Sequence, residues 1–238
     1  MKKRLTSLLA FQGQNPLGID IYKKYIGFKD RYLYHGHVDD THLDYIKSSH
    51  IVFNADDILK QPINYYNCVI NHLALPREQE NIPKYIRSLY QIIKPNGLII
   101  LSVPNKIPYL NILHWYTKLL PDATSEYEQT IPTQDSICTI LGDNAFEIVD
   151  IVKPKKELLL KPDVYYNPSG IYDPCWRACD PFWEYVSEKE LLRIDKVVSS
   201  LFKQMKMYEY IKEVEKEREK YAQVYFKIAT KTPYRIFY

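Results

Sequence analysis

Glycine is scarce in this sequence: seven residues in 238, against twenty-two tyrosines. None of the seven fall in the G-x-G spacing that lets a bare backbone close on a nucleotide or phosphate. The four cysteines, Cys68, Cys138, Cys175 and Cys179, include no C-x-x-C pair. The common zinc and dithiol signatures are therefore missing, and a reducing cytoplasm is the expected location. No apolar run approaches the roughly 20 residues that a membrane span requires. The basic start, Met1-Lys2-Lys3-Arg4, leads into "LTSLLAF", too short an apolar stretch for a secretory signal. Charge of one sign is also missing: the net charge is +3, with Lys and Arg spread along the chain. Neither nucleic acid nor an anionic membrane is indicated as a partner.

What is present is a chain with 46% hydrophobic and 26% charged residues, long enough to bury a sizeable core. Its apolar pattern alternates between strand and helix. Residues 4–12 carry Leu5, Leu8 and Leu9 at helical spacing, and Leu17–Ile21 reads as a short strand ending near Asp20. Residues 22–49 are mixed and polar, with a helix expected over Thr41–Lys47. Strands follow at His50–Asn54 and Asn67–Ile70. A helix then presents Ile82, Ile86, Leu89, Tyr90 and Ile93 on one face and stops at Pro95-Asn96-Gly97. Leu98–Asn105 is a near-continuous apolar run, as in a central parallel strand covered on both faces. Beyond it come helices at Tyr109–Leu120 and Ser136–Leu141 and a strand at Phe146–Val152. Residues 153–187 are irregular and rich in Pro, Tyr and Trp. Ser187 with Glu190 forms a capping box that opens a helical stretch to about Lys220, and Tyr221–Lys231 is a last strand. Strands alternating with helices predict an α/β fold with a mostly parallel sheet.

The segment "YYNCVINHLAL…IPKYIRSLYQIIKPNGLIILSVPN" resembles the central part of the class I S-adenosylmethionine-dependent methyltransferases. Leu89 to Leu98, "LYQIIKPNGL", is similar to that family's L-x-x-x-L-K-P-G-G-x-L, with Asn96 in place of a glycine. Asn tolerates the left-handed backbone such a turn needs. "GIDI" looks like the family's second strand and "FNADDILKQPI" like its third strand and acidic turn. "LGDNAFEIVDI" looks like its sixth strand with the preceding helix, and "AQVYFKIATK" like its seventh, antiparallel strand. The resemblance implies a Rossmann-like core over residues 1–152 and 221–232, with residues 153–220 inserted as a cap or interaction element. It implies S-adenosylmethionine as cofactor and a small molecule as methyl acceptor. The aromatic stretches 106–135 and 153–220 are the material expected to face a substrate or a partner.

The resemblance also assigns roles. Asp20, near the end of the expected second strand, would hold the cofactor ribose, as an acid does in dinucleotide folds; the plainer reading is a solvated acid at a strand–helix junction. Asp56 would accept from the adenine amino group, with Asp57 beside it in the same role or capping the turn. Asn71 and His72 follow the fourth strand, where ligands bind, and would line the methionine end of the cofactor. His72 has the reference pKa of about 6.5 that suits a general base, though a lone His is more often structural. "HGHVDDTH" gathers His35, His37, Asp39, Asp40 and His42; these residue types can bind metal, but the plainer reading is a polar loop with incidental histidines, and no metal site is expected. The two Asp-Pro-x-Trp phrases, Asp173–Trp176 and Asp180–Trp183, bring aromatic surface to a ligand or to a core.

One element of the family is not visible. Its first strand and D-x-G-x-G-x-G loop should precede "GIDI", yet the only Gly before Gly18 is Gly13. The expectation is a sheet lacking its first strand, or one that recruits another segment to replace it. A second possibility is then a methyltransferase-like binding or interaction protein that keeps the scaffold without the cofactor loop.

Overall fold

The computed structural model describes residues 19–26, 31–36, 50–52, 55–106, 113–155, 162–178 and 180–232. In chain order they form α1 (Ile19–Tyr25), β1 (Tyr32–Gly36), β2 (His50–Val52), α2 (Ala55–Ile58), β3 (Tyr66–His72), α3 (Ile82–Ile92), β4 (Ile93–Pro104), α4 (Pro121–Thr130), α5 (Gln134–Asp143), β5 (Phe146–Val152), α6 (Pro162–Tyr165), α7 (Pro174–Arg177), α8 (Glu188–Lys203), α9 (Met207–Arg218) and β6 (Val224–Lys231). They divide into two compact units. One holds the described residues from 19 to 105, 132 to 153 and 224 to 232; the other holds those from 106 to 131 and 154 to 223.

The first unit is a six-stranded sheet in the order β2-β1-β3-β4-β6-β5. β2, β1, β3 and β4 are mutually parallel, and β6 runs antiparallel between β4 and β5. Because side chains alternate along a strand, the sheet has two apolar faces. Leu33, Val69, Leu101 and Tyr225 pack with Ile58 of α2, Ile86 and Leu89 of α3 and Ile137 of α5 in one buried cluster. On the opposite face Tyr22 of α1 meets Tyr34 and Phe226 edge-on.

Two sequence expectations change here. Leu17–Ile21 is not a strand: residues 19–25 are helical, and the Ile26 amide donates to the Tyr22 carbonyl at 2.9 Å. The Ile19-x-Ile21 alternation suggested a strand, but the pairs Ile21-Tyr22 and Tyr25-Ile26 lie one helical turn apart, and that spacing prevails. The polar stretch after it contains β1, whose five residues are all buried. A short apolar run ending in His and Gly carries no periodicity that would reveal a central strand. β1 pairs with β2 on one side and β3 on the other, so the middle of the sheet is filled.

Other elements differ less. β4 occupies the central place expected of Leu98–Asn105, and Asn96 adopts φ 61°, the left-handed conformation its turn requires. The helix expected over Tyr109–Leu120 is a 3-10 turn at Thr117–Leu119, and α4 follows it; residues 107–112 lie outside the described residues. The helices expected over residues 4–12 and Thr41–Lys47 also lie outside them. The stretch after Ser187 is two helices broken at Met205, φ 57°.

The second unit packs α4 and α6–α9 around aromatic side chains. The two Asp-Pro-x-Trp phrases are helix starts: Asp173 accepts from the Cys175 amide at 2.8 Å and Asp180 from the Phe182 amide at 3.0 Å. The Trp176 and Trp183 rings, 5.6 Å apart, both pack against Tyr116. These tryptophans form core. The Ser187 cap forms, with the Glu190 amide donating to Ser187 Oγ at 3.3 Å. The Glu190 carboxylate turns to α4, accepting from the Asp122 amide at 3.0 Å and from the Ala123 amide at 3.3 Å.

Candidate functional site

In a parallel sheet the strand order reverses at one strand, and loops leave the carboxyl ends there in opposite directions, opening a crevice where ligands bind. In this sheet that strand is β1, with β2 on one side and β3 on the other. Its carboxyl end is His35-Gly36, set in register against Asn71-His72 of β3. Gly36 has φ +143°, and a Cβ on it would stand 2.3 Å from the His72 carbonyl oxygen. Only a residue without a side chain fits this close approach. The sequence continues His37-Val38-Asp39-Asp40, with no second glycine before Gly97.

Two buried polar groups meet at this edge, one on each face. On the α3 side, Asn71 Nδ2 donates to Tyr85 Oη at 2.5 Å, and His35 Nδ1 lies 2.5 Å from the same oxygen. Asn71 Oδ1 accepts from the Ala74 amide at 3.2 Å, which closes the turn after β3. Burial pushes the Tyr85 hydroxyl well above its ordinary range, and its bond with Asn71 opposes that shift. On the α1 side, His72 Nδ1 lies 2.5 Å from Tyr22 Oη, and the imidazole stacks on the Tyr34 ring with centroids 5.9 Å apart.

The turn that leaves His72 is strained. Leu73 adopts φ 53°, left-handed for a residue with a full side chain, at a cost of roughly 1–2 kcal/mol. Ser102 of β4 holds it there: the Leu73 amide donates to Ser102 Oγ at 2.8 Å, and Ser102 Oγ donates to the Asn71 carbonyl at 3.1 Å. Strain of this kind collects at functional sites.

The expected site residues are thus sorted. Asn71 and His72 stand side by side at the carboxyl edge, both buried and both bonded to tyrosines. Asp56 and Asp57 lie in the first turn of α2, just after β2; Asp56 is exposed, and Asp57 pairs with Lys60 at 2.7 Å. Asp20 is in the first turn of α1, exposed and 4.0 Å from Lys23, so the strand end on which its ribose role rested is absent. His35 belongs to the Tyr85 group, while His37, Asp39, Asp40 and His42 lie outside the described residues. Among the described residues no His, Cys, Asp and Glu gather as metal ligands, and no helix is long and apolar enough to cross a membrane. Tyr22, Tyr34 and Tyr85 were not legible as site residues. A tyrosine in so tyrosine-rich a sequence carries no signal until its partner is known.

No family model matches the sequence, and no curated protein does. Solved structures do match in fold. A methyltransferase assigned to an antibiotic biosynthesis pathway of Anabaena variabilis is 11% identical, with TM-score 0.63 over 89% of this chain and 94% of that one. A SAM-dependent methyltransferase from Archaeoglobus fulgidus is 16% identical, with TM-score 0.50 over 90% and 91%. The [4+2]-cyclase SpnF is 12% identical, with TM-score 0.50 over 97% and 92%.

Proposed function

On a chain with the fold of the class I S-adenosylmethionine-dependent methyltransferases, we propose a cytoplasmic methyltransferase that binds this cofactor at the carboxyl ends of β1, β2 and β3 and methylates a small molecule. The observation that carries the reading is the reversal of strand order at β1, with side-chain-free Gly36 beside Asn71-His72. Gly36 lets β1 and β3 close on each other at this edge, and Asp56, after the strand next to β1, stands where dinucleotide folds place a ribose acid. S-adenosylmethionine, when bound, supplies a methyl group on an activated sulfonium.

The chain's own part is alignment and proton handling. Tyr22 and Tyr34 fix the His72 ring in one orientation. His72 is the candidate base for a proton from an acceptor hydroxyl or amine. Asn71 holds the turn that carries Leu73.

The test is titration calorimetry of the full chain with S-adenosylmethionine and S-adenosylhomocysteine. Saturable heat with both is expected. No heat at millimolar ligand would overturn the reading. It would favour a second one, a methyltransferase-like binding protein, for which one observation speaks: His35, Asn71 and His72 already bond to tyrosines of the same unit. The [4+2]-cyclase on the same fold illustrates that a fold does not fix its chemistry.

A further inference from the structure

β6 carries an unusual residue for a central strand. Tyr225, Lys227 and Ala229 fall on one face by alternation, and Tyr225 and Ala229 belong to the apolar cluster under α3 and α5. Lys227, between them, is fully buried. An ammonium in such a place is normally paired with a carboxylate. Among the described residues none pairs with Lys227. Its Nζ instead donates to Cys138 Sγ of α5 at 2.7 Å and lies 5.2 Å from the centroid of the Tyr225 ring. Tyr225 Oη is buried and has no hydrogen-bond partner among the described residues. Cys138 is half-buried, so a small oxidant can reach a thiol that sits in contact with a buried amine.

We propose that Cys138 and Lys227 form an oxidation-responsive pair, in which peroxide joins Sγ to Nζ through one oxygen atom and ties α5 to β6. The step balances for neutral thiol and amine. One peroxide converts the thiol to a sulfenic acid and releases water; sulfur gives up two electrons. A second converts the amine to a hydroxylamine and releases water; nitrogen gives up two electrons. The hydroxylamine oxygen then attacks the sulfenic sulfur. An S–O bond forms, the sulfenic hydroxyl leaves, and it departs with the hydroxylamine proton as a third water. The bridge closes a loop between residues 89 apart in sequence, which restricts the unfolded chain and raises the folded protein's melting temperature.

The experiment is peptide mapping of the full chain after hydrogen peroxide, by trypsin and mass spectrometry. The expected product joins the peptides of Cys138 and Lys227, with a mass equal to their sum plus one oxygen less two hydrogens. Tryptic cleavage after Lys227 is lost, and dithiothreitol restores both peptides. Peroxide added to the chain in denaturant gives no joined peptide, and Lys227→Met abolishes it and leaves Cys138 as sulfinic acid. Whole-oxygen additions on Cys138 of the native chain, with Lys227 still cleaved, overturn the proposal. So does a joined peptide formed equally well in denaturant. The wild-type arms decide the matter even if Lys227→Met fails to fold.

Discussion

Tyr22 and His72 are bonded Oη to Nδ1 at 2.5 Å across 50 residues of sequence. One comes from a short helix that precedes the sheet, the other from the carboxyl end of β3. The contact fixes the imidazole and anchors α1, and it makes the candidate base dependent on an element with no chemistry of its own. Tyr22→Phe keeps the ring packing against Tyr34 and Phe226 and removes only the hydroxyl. Loss of a buried partner of this kind costs about 1–3 kcal/mol. The urea midpoint should fall with an unchanged slope. An unchanged midpoint would show that the bond adds nothing to stability.

Gly36 tests the close approach at the carboxyl edge. Gly36→Ala forces a side chain into a conformation with φ +143° and sets its Cβ against the His72 carbonyl, 2.3 Å away. The strained backbone alone costs about 1–3 kcal/mol, and the overlap adds to it. A large drop in melting temperature is expected, together with lost S-adenosylmethionine binding. A stable variant would mean that β1 and β3 are not held as described.

The acids separate by calorimetry. Asp56→Ala should weaken S-adenosylmethionine by about tenfold or more, the loss of a charge-assisted hydrogen bond of about 1.5–3 kcal/mol. Asp20→Ala should leave the affinity unchanged, because Asp20 is an exposed helix residue paired with Lys23. The reverse result would return the ribose role to Asp20.

His114 gives the aromatic unit a pH dependence. It is fully buried, its Nε2 lies 3.5 Å from Asp180 Oδ2, and the ring stacks on Tyr116 with centroids 5.0 Å apart. Desolvation lowers its pKa below 6.5; the carboxylates of Asp180 and Glu215 oppose the shift and the Arg218 guanidinium adds to it. The unfolded chain therefore binds the proton more readily than the folded one. The stabilisation is present above pH 6.5 and is lost as the pH falls from there toward the lower folded-state value. Melting temperature measured from pH 7.5 down to about 5 should decline more steeply in the wild type than in His114→Phe. Parallel curves would remove His114 from the account.

Glu190 supplies two helices at once. It completes the start of α8 with Ser187, and its carboxylate accepts from two amides of α4, whose own N-cap residue, Leu120, offers no side-chain oxygen. Glu190→Ala should cost about 1–3 kcal/mol, more than Ser187→Ala, which should cost about 1. Equal losses in denaturant midpoint would mean that the bonds to α4 carry no energy.

Local chemistry by itself determined much of this protein. The run "LIILSVP", the left-handed backbone of Asn96, the Ser187 cap and the strand Phe146–Val152 are each specified by residues close together in the chain, and each formed as read; the helix before them ends at Ile92, and Lys94–Gly97 lie within β4. The α/β class and the family resemblance followed from them. Tertiary structure alone decided three things. Residues 19–25 became a helix because Ile21 and Tyr22 bury on one turn of it, where a strand would divide them between two faces. Tyr32–Gly36 became the central strand because both its neighbours need a hydrogen-bonding partner. The tyrosines that hold Asn71 and His72 became site residues only through contacts made from other helices. Sequence spacing reports what one element does with its own apolar side; it does not report which distant side chain satisfies a buried polar atom. That pairing is fixed when the layers pack.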